Sequence, residues 1–333
     1  MTRLDRYLAA ACQWDRPSVK NREGIRANID RMVEMTHAAV AGYRPLGRVG
    51  LVVFPEFAWS PPIYTTAQEL AQHLALPSDN EHVARLTKTA TDLGILLVCG
   101  SFLEVDPKWP GAVFNTSLLL GEGKTLLRYR KVHPWIPWEV HASPHDIAGY
   151  DEPFFPVADT PMGKIGIATC YDWLFPESTR ELALGGAEVL VRISAYMDPW
   201  GATPPMDWWT IVNRCRALEN IAHVVAANQG ATLANYPPFS WPGGSMLVDF
   251  DGRILAQADP GPGEKIVVAS IDLAAQRAAR AERSMHQVLL HRRPEAYVRS
   301  RVAAFPPSAT PSDRTMDALT RTIDSLKSKE PRP

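Results

Sequence analysis

An α/β fold, with mixed sheets covered by helices, is what this sequence predicts. Three observations carry that reading. β-Branched runs alternate with stretches of helical period along most of the chain. Glycine-containing turns join neighbouring runs into hairpins. The 333 residues are 46% apolar, enough to fill a sizeable core.

The elements follow in order. Residues 7–13 read as a first strand. Ile25, Ile29, Met32, Val33 and Val40 trace one face of a helix. Residues 49–54 form a strand that ends at Pro55-Glu56, and helical patterns follow near 67–75 and 82–93. Residues 95–103, 113–120 and 125–130 read as strands, the last two joined by the turn Gly121-Glu122-Gly123-Lys124. Residues 132–152 form a long loop rich in Pro, Trp and His, and loops of that length are often functional. Strand 164–169, helix 177–184 and strand 189–193 come next, then helix 208–220 and strand 223–227. Residues 246–250 and 253–257 flank Asp251-Gly252 as a hairpin, and 265–271 closes the sheet region. Beyond about residue 275 the chain turns charged and Pro-rich. It reads as an arm followed by a polar helix from about Met316 to Lys327. No internal sequence repeat stands out.

Composition narrows the function. A net charge of −1 gives no electrostatic case for nucleic acid or membrane partners. No apolar run reaches the roughly 18 residues of a membrane span. The short apolar stretch near the N-terminus is flanked by Asp5 and Asp15 and reads as a strand, not a signal peptide. Cys12, Cys99, Cys170 and Cys215 are scattered without CxxC spacing, so neither a disulfide scaffold nor a zinc site is expected. A reducing cytoplasm fits such thiols. His133, His141 and His145 share the long loop, but their spacing matches no metal motif. No cofactor is expected.

The most informative residue is Cys170. It follows the strand KIGIAT and precedes YDWLFPE, where Pro176-Glu177 reads as the first turn of a helix. A thiol at a strand's carboxyl end lies where chemistry collects in an open α/β layer. A nearby helix N-terminus would favour the thiolate. The bland alternative is a buried structural cysteine. Glu56 ends another apolar run in VGLVVFPEF, Lys131 follows a strand in LLRYRKVHPW, and Glu139 lies eight residues further on. Singly these read as a loop carboxylate, a solvated basic edge and a loop acid.

In order, FPEF, YRKxxPWxPxE, CYDxxFPE and GGSMLVDFDGRIL resemble the nitrilase superfamily of carbon–nitrogen hydrolases over roughly residues 5 to 275. The resemblance implies a four-layer αββα sandwich, with residues 1–275 as catalytic domain and 276–333 as a C-terminal arm and polar helix that is expected to contact a neighbouring subunit or to be partly flexible. It also implies a homodimer or larger homo-oligomer. By the same resemblance Cys170 is the nucleophile, Glu56 the proton shuttle, and Lys131 the cation for the oxyanion, with the Tyr171 backbone N–H as second donor. Glu139 would orient Lys131 or the substrate amine.

Phe57, Trp135 and Tyr196 are the candidate substrate-binding side chains. Trp135, in RKxxPWxPxE, resembles a pocket residue of aliphatic amidases and formamidases. Tyr196 matches an aromatic of that subgroup, although Ala195 replaces its usual glycine. Trp59, Trp138 and Trp173 read equally well as core. Leu174 departs from the family's frequent Arg, and Asp172 is expected to fix the cysteine loop. Arg214 and Glu219, in NRCRALEN, read as structural support, the Gly243-Gly244-Ser245 turn likewise, and Asn228 as a neighbour of the site.

The leading function is hydrolysis of a linear primary amide to a carboxylic acid and ammonia through a Cys thioester. An N-carbamoyl hydrolase is the nearest alternative. It is disfavoured because no Arg or Lys follows Cys170 before Arg180, although Arg192 or Arg216 could serve. A nitrilase is next, disfavoured by Cys170-Tyr171-Asp172 where Cys-Trp-Glu is usual. A catalytically silent binding or scaffold protein is the reading from another class, and a redox sensor using Cys170 is a third.

Overall fold

A computed structural model describes residues 4–135, 139–236, 240–283 and 286–297. The arm beyond these and its polar helix, like Trp138, lie outside the described residues. The first half runs β1 (Arg6–Gln13), α1 (Arg22–Tyr43), β2 (Val49–Phe54), α2 (Ala67–His73), α3 (Glu81–Leu93), β3 (Leu96–Val105), β4 (Val113–Gly121) and β5 (Lys124–Arg130). The second runs β6 (Val157–Thr160), β7 (Gly163–Thr169), α4 (Pro176–Leu184), β8 (Val189–Ser194), α5 (Trp208–Asn220) and β9 (His223–Asn228). It closes with β10 (Met246–Val248), β11 (Ile254–Gln257), β12 (Lys265–Asp272) and α6 (Leu273–Glu282).

Among the described residues twelve strands make two six-stranded sheets, ordered β12-β1-β2-β3-β4-β5 and β11-β10-β9-β8-β7-β6. Both share one plan. Three parallel strands (β1, β2, β3; β7, β8, β9) sit in the middle. One antiparallel strand pairs on one side, and an antiparallel pair on the other. The halves therefore repeat in topology with no matching repeat in sequence.

Period-two alternation builds the layers. Ala9, Ala11, Leu51 and Val53 share one core with Ile165, Ile167, Val189 and Val191 of the second sheet. The intervening Ala10, Cys12, Val52 and Phe54 pack with Ile25, Ile29 and Met32 of α1 and Leu86 of α3. Leu182 of α4 and Trp209 and Ala217 of α5 cover the second sheet. The result is the four-layer αββα sandwich.

Two elements differ from the sequence reading. β6 is four residues long between prolines, too short to register as a periodic run. α6 crosses position 275, where the arm was expected to begin. Asp272 caps it by accepting from Ala275 N, and Gln276 is buried with bonds to the carbonyls of Glu188 and Ile221. The layered body thus extends through Glu282. Among the described residues no helix is long and apolar enough to cross a membrane.

Candidate active site

The parallel strands of both sheets deliver their carboxyl ends to one place. Glu56 follows β2 by two residues, Cys170 follows β7 directly, and Ala195-Tyr196 follow β8. Lys131 follows β5, and Glu139 sits in the loop beyond it. Gly100, at φ +68, creates the bulge that admits the β2 end: a Cβ there would collide with the Pro55 carbonyl. Phe57 and Cys170 are two of the five described non-glycine residues with positive φ, at 56° and 48°. Non-glycine backbone of this kind costs energy and persists where the surroundings hold it.

The buried ammonium of Lys131 is the hub. Its Nζ donates to Glu56 Oε1 at 2.8 Å and to Glu139 Oε1 and Oε2 at 2.8 and 2.7 Å. Glu56 Oε1 also accepts from Asn115 Nδ2 at 2.9 Å, and Oε2 from the Ala195 N–H at 2.9 Å. Glu139 Oε2 accepts from the Trp135 N–H at 2.6 Å and lies 3.2 Å from His141 Nε2.

One ammonium thus serves two carboxylates that respond oppositely. Burial pushes the Glu56 carboxyl above its ordinary range, against the pull of Lys131 and with the push of Glu139. Burial also acts to raise Glu139, but Lys131 and then His141 outweigh it and hold that carboxyl at about 2. For Lys131 burial works against the charge, and Glu139 and Glu56 overcome it, so the lysine is cationic at neutral pH.

Cys170 opens a 3-10 turn, Cys170–Leu174, ahead of α4. Asp172 fixes the turn, as expected. Its Oδ2 accepts from Tyr129 OH at 2.5 Å and Thr169 N at 2.9 Å, and its Oδ1 accepts from His133 N at 2.9 Å. The expected thiolate does not follow. Burial, then the Glu56 charge, push the thiol well above its ordinary range, and Lys131 and Arg192 only partly oppose this. The turn is short, and desolvation outweighs what its N-terminus supplies. The Tyr171 N–H belongs to that first turn, whose amides have no partner within the helix.

A cavity of about 810 Å³ opens over Cys170, and Glu139, Phe57, Trp135 and Tyr196 line it. The Trp135 ring meets Trp200 edge-on at 5.0 Å. Tyr196 donates from its N–H to Asn228 Oδ1 at 2.8 Å, so Asn228 borders the site. Trp59 and Trp173 are core: each is fully buried and its indole N–H binds a strand carbonyl, Cys99 O and Ala168 O. Arg214 Nε binds Gly252 O, and the Glu219 side chain takes Arg216 Nη1. The loop histidines meet acids: His133 lies beside Asp172, His141 beside Glu139 and His145 beside Asp146. A trough of about 880 Å³ between α3 and β5 holds none of the site side chains.

The family model for carbon-nitrogen hydrolases matches residues 8–281. This chain belongs to the carbon–nitrogen hydrolase family. It is 32% identical over 272 residues to a formamidase of Bacillus cereus (strain Q1), covering 80% of this chain and 74% of that one. It is also 32% identical over 267 residues to a formamidase of Helicobacter acinonychis, covering 78% and 72%. Saccharomyces cerevisiae Nit3, a nitrilase-superfamily structure, superposes with a TM-score of 0.69 at 26% identity, over 86% of this chain and 98% of that one. This carbon–nitrogen hydrolase has one buried charge that sequence reasoning weighed only as a carboxylate grip. Arg192, on β8, is wholly buried. Its guanidinium lies 4.3 Å from the Trp209 ring, 5.3 Å from Tyr196 and 5.4 Å from Trp173. It donates to Ser194 Oγ and Asn213 Oδ1, and no carboxylate is among its described partners. Burial pushes it down to about 10, with Cys170 and Tyr196 acting the other way. An arginine inside a strand gives no sign in sequence of whether it points into a core; only the aromatic residues of other elements, brought together by folding, reveal it.

Proposed function

We propose that the chain hydrolyses a linear primary amide to a carboxylic acid and ammonia. The observation that carries this is the convergence of Glu56, Lys131, Glu139 and Cys170 beneath one cavity. The formamidase relatives support an amide over a nitrile as substrate. Glu56 takes the Cys170 proton while sulfur attacks the carbonyl carbon. The oxyanion is held by the Lys131 charge and the Tyr171 N–H. Glu56 returns the proton to nitrogen, the C–N bond breaks and ammonia leaves a thioester. Glu56 then takes a proton from water, the hydroxide adds, the C–S bond breaks to free the acid, and Glu56 passes its proton to the departing Cys170 sulfur, restoring both groups. Because each Lys131 N–H already faces a carboxylate oxygen, Lys131 acts on the oxyanion mainly through its charge, with Glu139 holding it in place.

A carbamoyl amino acid fits less well. Arg180 is bound to Glu219 O, Arg192 is sealed behind Tyr196, and Lys20 is the sole described cation on the cavity wall. A silent scaffold would have no use for a complete set of four. Assembly as a homodimer or larger is part of the same proposal. α5 buries Trp209, Asn213 and Ala217 on one face, while Ile211 and Leu218 are exposed on the other. A helix apolar on two faces calls for a second partner. The working compartment is proposed to be the cytoplasm, where a nucleophilic thiol stays reduced.

The test is ammonia release from a panel of amides, carbamoyl compounds and nitriles. Cys170→Ala should abolish turnover while leaving the circular dichroism spectrum and melting cooperative. Mass spectrometry of the wild-type enzyme with a slow amide should show an acyl adduct on Cys170. An active Cys170→Ala enzyme, or an adduct at Cys215, overturns the assignment.

A further inference from the structure

We infer that the substrate is an amide whose acyl group carries an aromatic ring or an apolar group of similar size, not formamide or another minimal amide. The inference rests on the amidase reading above and extends it.

The cavity over Cys170 measures about 810 Å³. A three-heavy-atom amide displaces on the order of two or three waters, at ~30 Å³ each in the liquid. It would fill about a tenth of that space and be held at one end only. Cavities of about 300–1,000 Å³ with apolar walls fit ligands several times larger.

The walls choose the chemistry. Tyr196 OH is tied to Trp200 O at 2.9 Å, Tyr64 OH to Lys20 O at 2.6 Å, and the Trp241 indole N–H to Tyr236 O at 2.5 Å. These three aromatic wall residues thus have their polar tips bound to backbone, and their hydrocarbon is what remains for a ligand. Ring-to-ring contacts hold the walls in place: Trp135 against Trp200 at 5.0 Å, and Tyr236 stacked on Trp241 at 4.4 Å. Preformed ring walls favour a flat, uncharged guest. Charge is scarce as well. Glu139 is consumed by Lys131, and Lys20 is exposed at the solvent edge. A charged acyl group would lose its water without gaining a buried counter-ion.

The experiment is kcat/KM for formamide, acetamide, butyramide, phenylacetamide and 3-phenylpropanamide with the full-length wild-type enzyme. In an apolar pocket each added methylene changes specificity by about 10- to 200-fold. The arylalkyl amides should therefore exceed acetamide by at least about 100-fold. Trp208→Ala, which opens the wall at the mouth, should shrink the phenylacetamide-to-acetamide ratio. A second readout is binding to Cys170→Ala by calorimetry, where phenylacetamide should bind and acetamide should not at the same concentration. If acetamide or formamide is the best substrate, or the series is flat, the inference is overturned and the amidase reading stands. If no amide is hydrolysed while a nitrile or carbamoyl compound is, the amidase reading fails and takes the inference with it.

Discussion

Glu139→Gln is the substitution that separates the two carboxylates most cleanly. Both bind one Lys131 nitrogen at 2.7–2.8 Å, so their oxygens lie within about 6 Å of each other. At an effective dielectric of about 20, two like charges at that distance repel by about 3 kcal/mol, or about two pH units. Glu139 is one of the charges that raises Glu56, and removing it lowers the Glu56 pKa. The acid limb of kcat/KM, which reports the proposed base in the free enzyme, should therefore move down by about one to two units. Its plateau should move less, because the same Glu139 charge also raises the Cys170 thiol. Stability carries a second signature. Glu139 is held at about 2, against about 4.3 when unfolded, a difference worth at most about 3 kcal/mol. Its folded pKa is depressed, so this stability is present above pH ~4.3 and disappears as pH falls toward ~2. Denaturant titrations of wild type and variant should differ most near neutrality and converge in acid. An acid limb that stays put or moves upward would refute the electrostatic coupling.

The remaining predictions concern groups outside those four residues. Arg192→Met should move the pH profile of Cys170 alkylation by iodoacetamide upward, because a cation that opposes the rise in the thiol pKa is gone. Arg192→Lys should restore much of the shift, and superimposable wild-type and Met profiles would assign Arg192 a packing role alone. Ile211→Lys with Leu218→Lys places two charges on the exposed apolar face of α5 and should lower the mass seen by light scattering toward the monomer. An unchanged mass would move the proposed interface elsewhere.

Much of the fold was legible because its signals are local. α5 runs Trp208–Asn220 and β2 runs Val49–Phe54, as their patterns imply. The hairpin at Gly121-Glu122-Gly123-Lys124 forms where the turn residues place it. β10 and β11 are shorter than expected at their turn ends, where Asp249 Oδ1 accepts from Asp251 N and Arg253 N and widens the turn. What sequence could not supply is depth and neighbours. A helix N-terminus beside Cys170 argued for a thiolate, yet the sign of the shift is set by burial and by Glu56, 114 positions away in the chain. The partner sheet that joins Glu56 Oε2 to the Ala195 N–H is likewise invisible to periodicity. Chain order and motif pointed to the four residues; only the fold brings three of them onto one nitrogen and the fourth beneath the same cavity.

The charge inventory bears on how a thiol that burial holds protonated can serve as the proposed nucleophile. Consider the two carboxylates, Lys131, Arg192 and Cys170. With the thiol protonated, Glu56 and Glu139 balance Lys131 and Arg192, and the buried set is neutral. When Cys170 gives its proton to Glu56 the thiolate replaces one carboxylate, and the set stays neutral. The transfer moves charge without adding any to the interior, so the large desolvation penalty of an isolated buried ion is avoided. Both groups are also pushed in the same direction, Glu56 upward by burial and the Glu139 charge and Cys170 by burial and the Glu56 charge, which keeps their proton affinities from diverging. Lys131 alone could not achieve this balance, because Glu139 already claims one full positive charge. The Arg192 guanidinium behind Tyr196, with no carboxylate among its described partners, supplies the second. A buried arginine without a carboxylate is costly as packing, and becomes intelligible as the counter-charge of whichever partner, Glu56 or Cys170, is ionised.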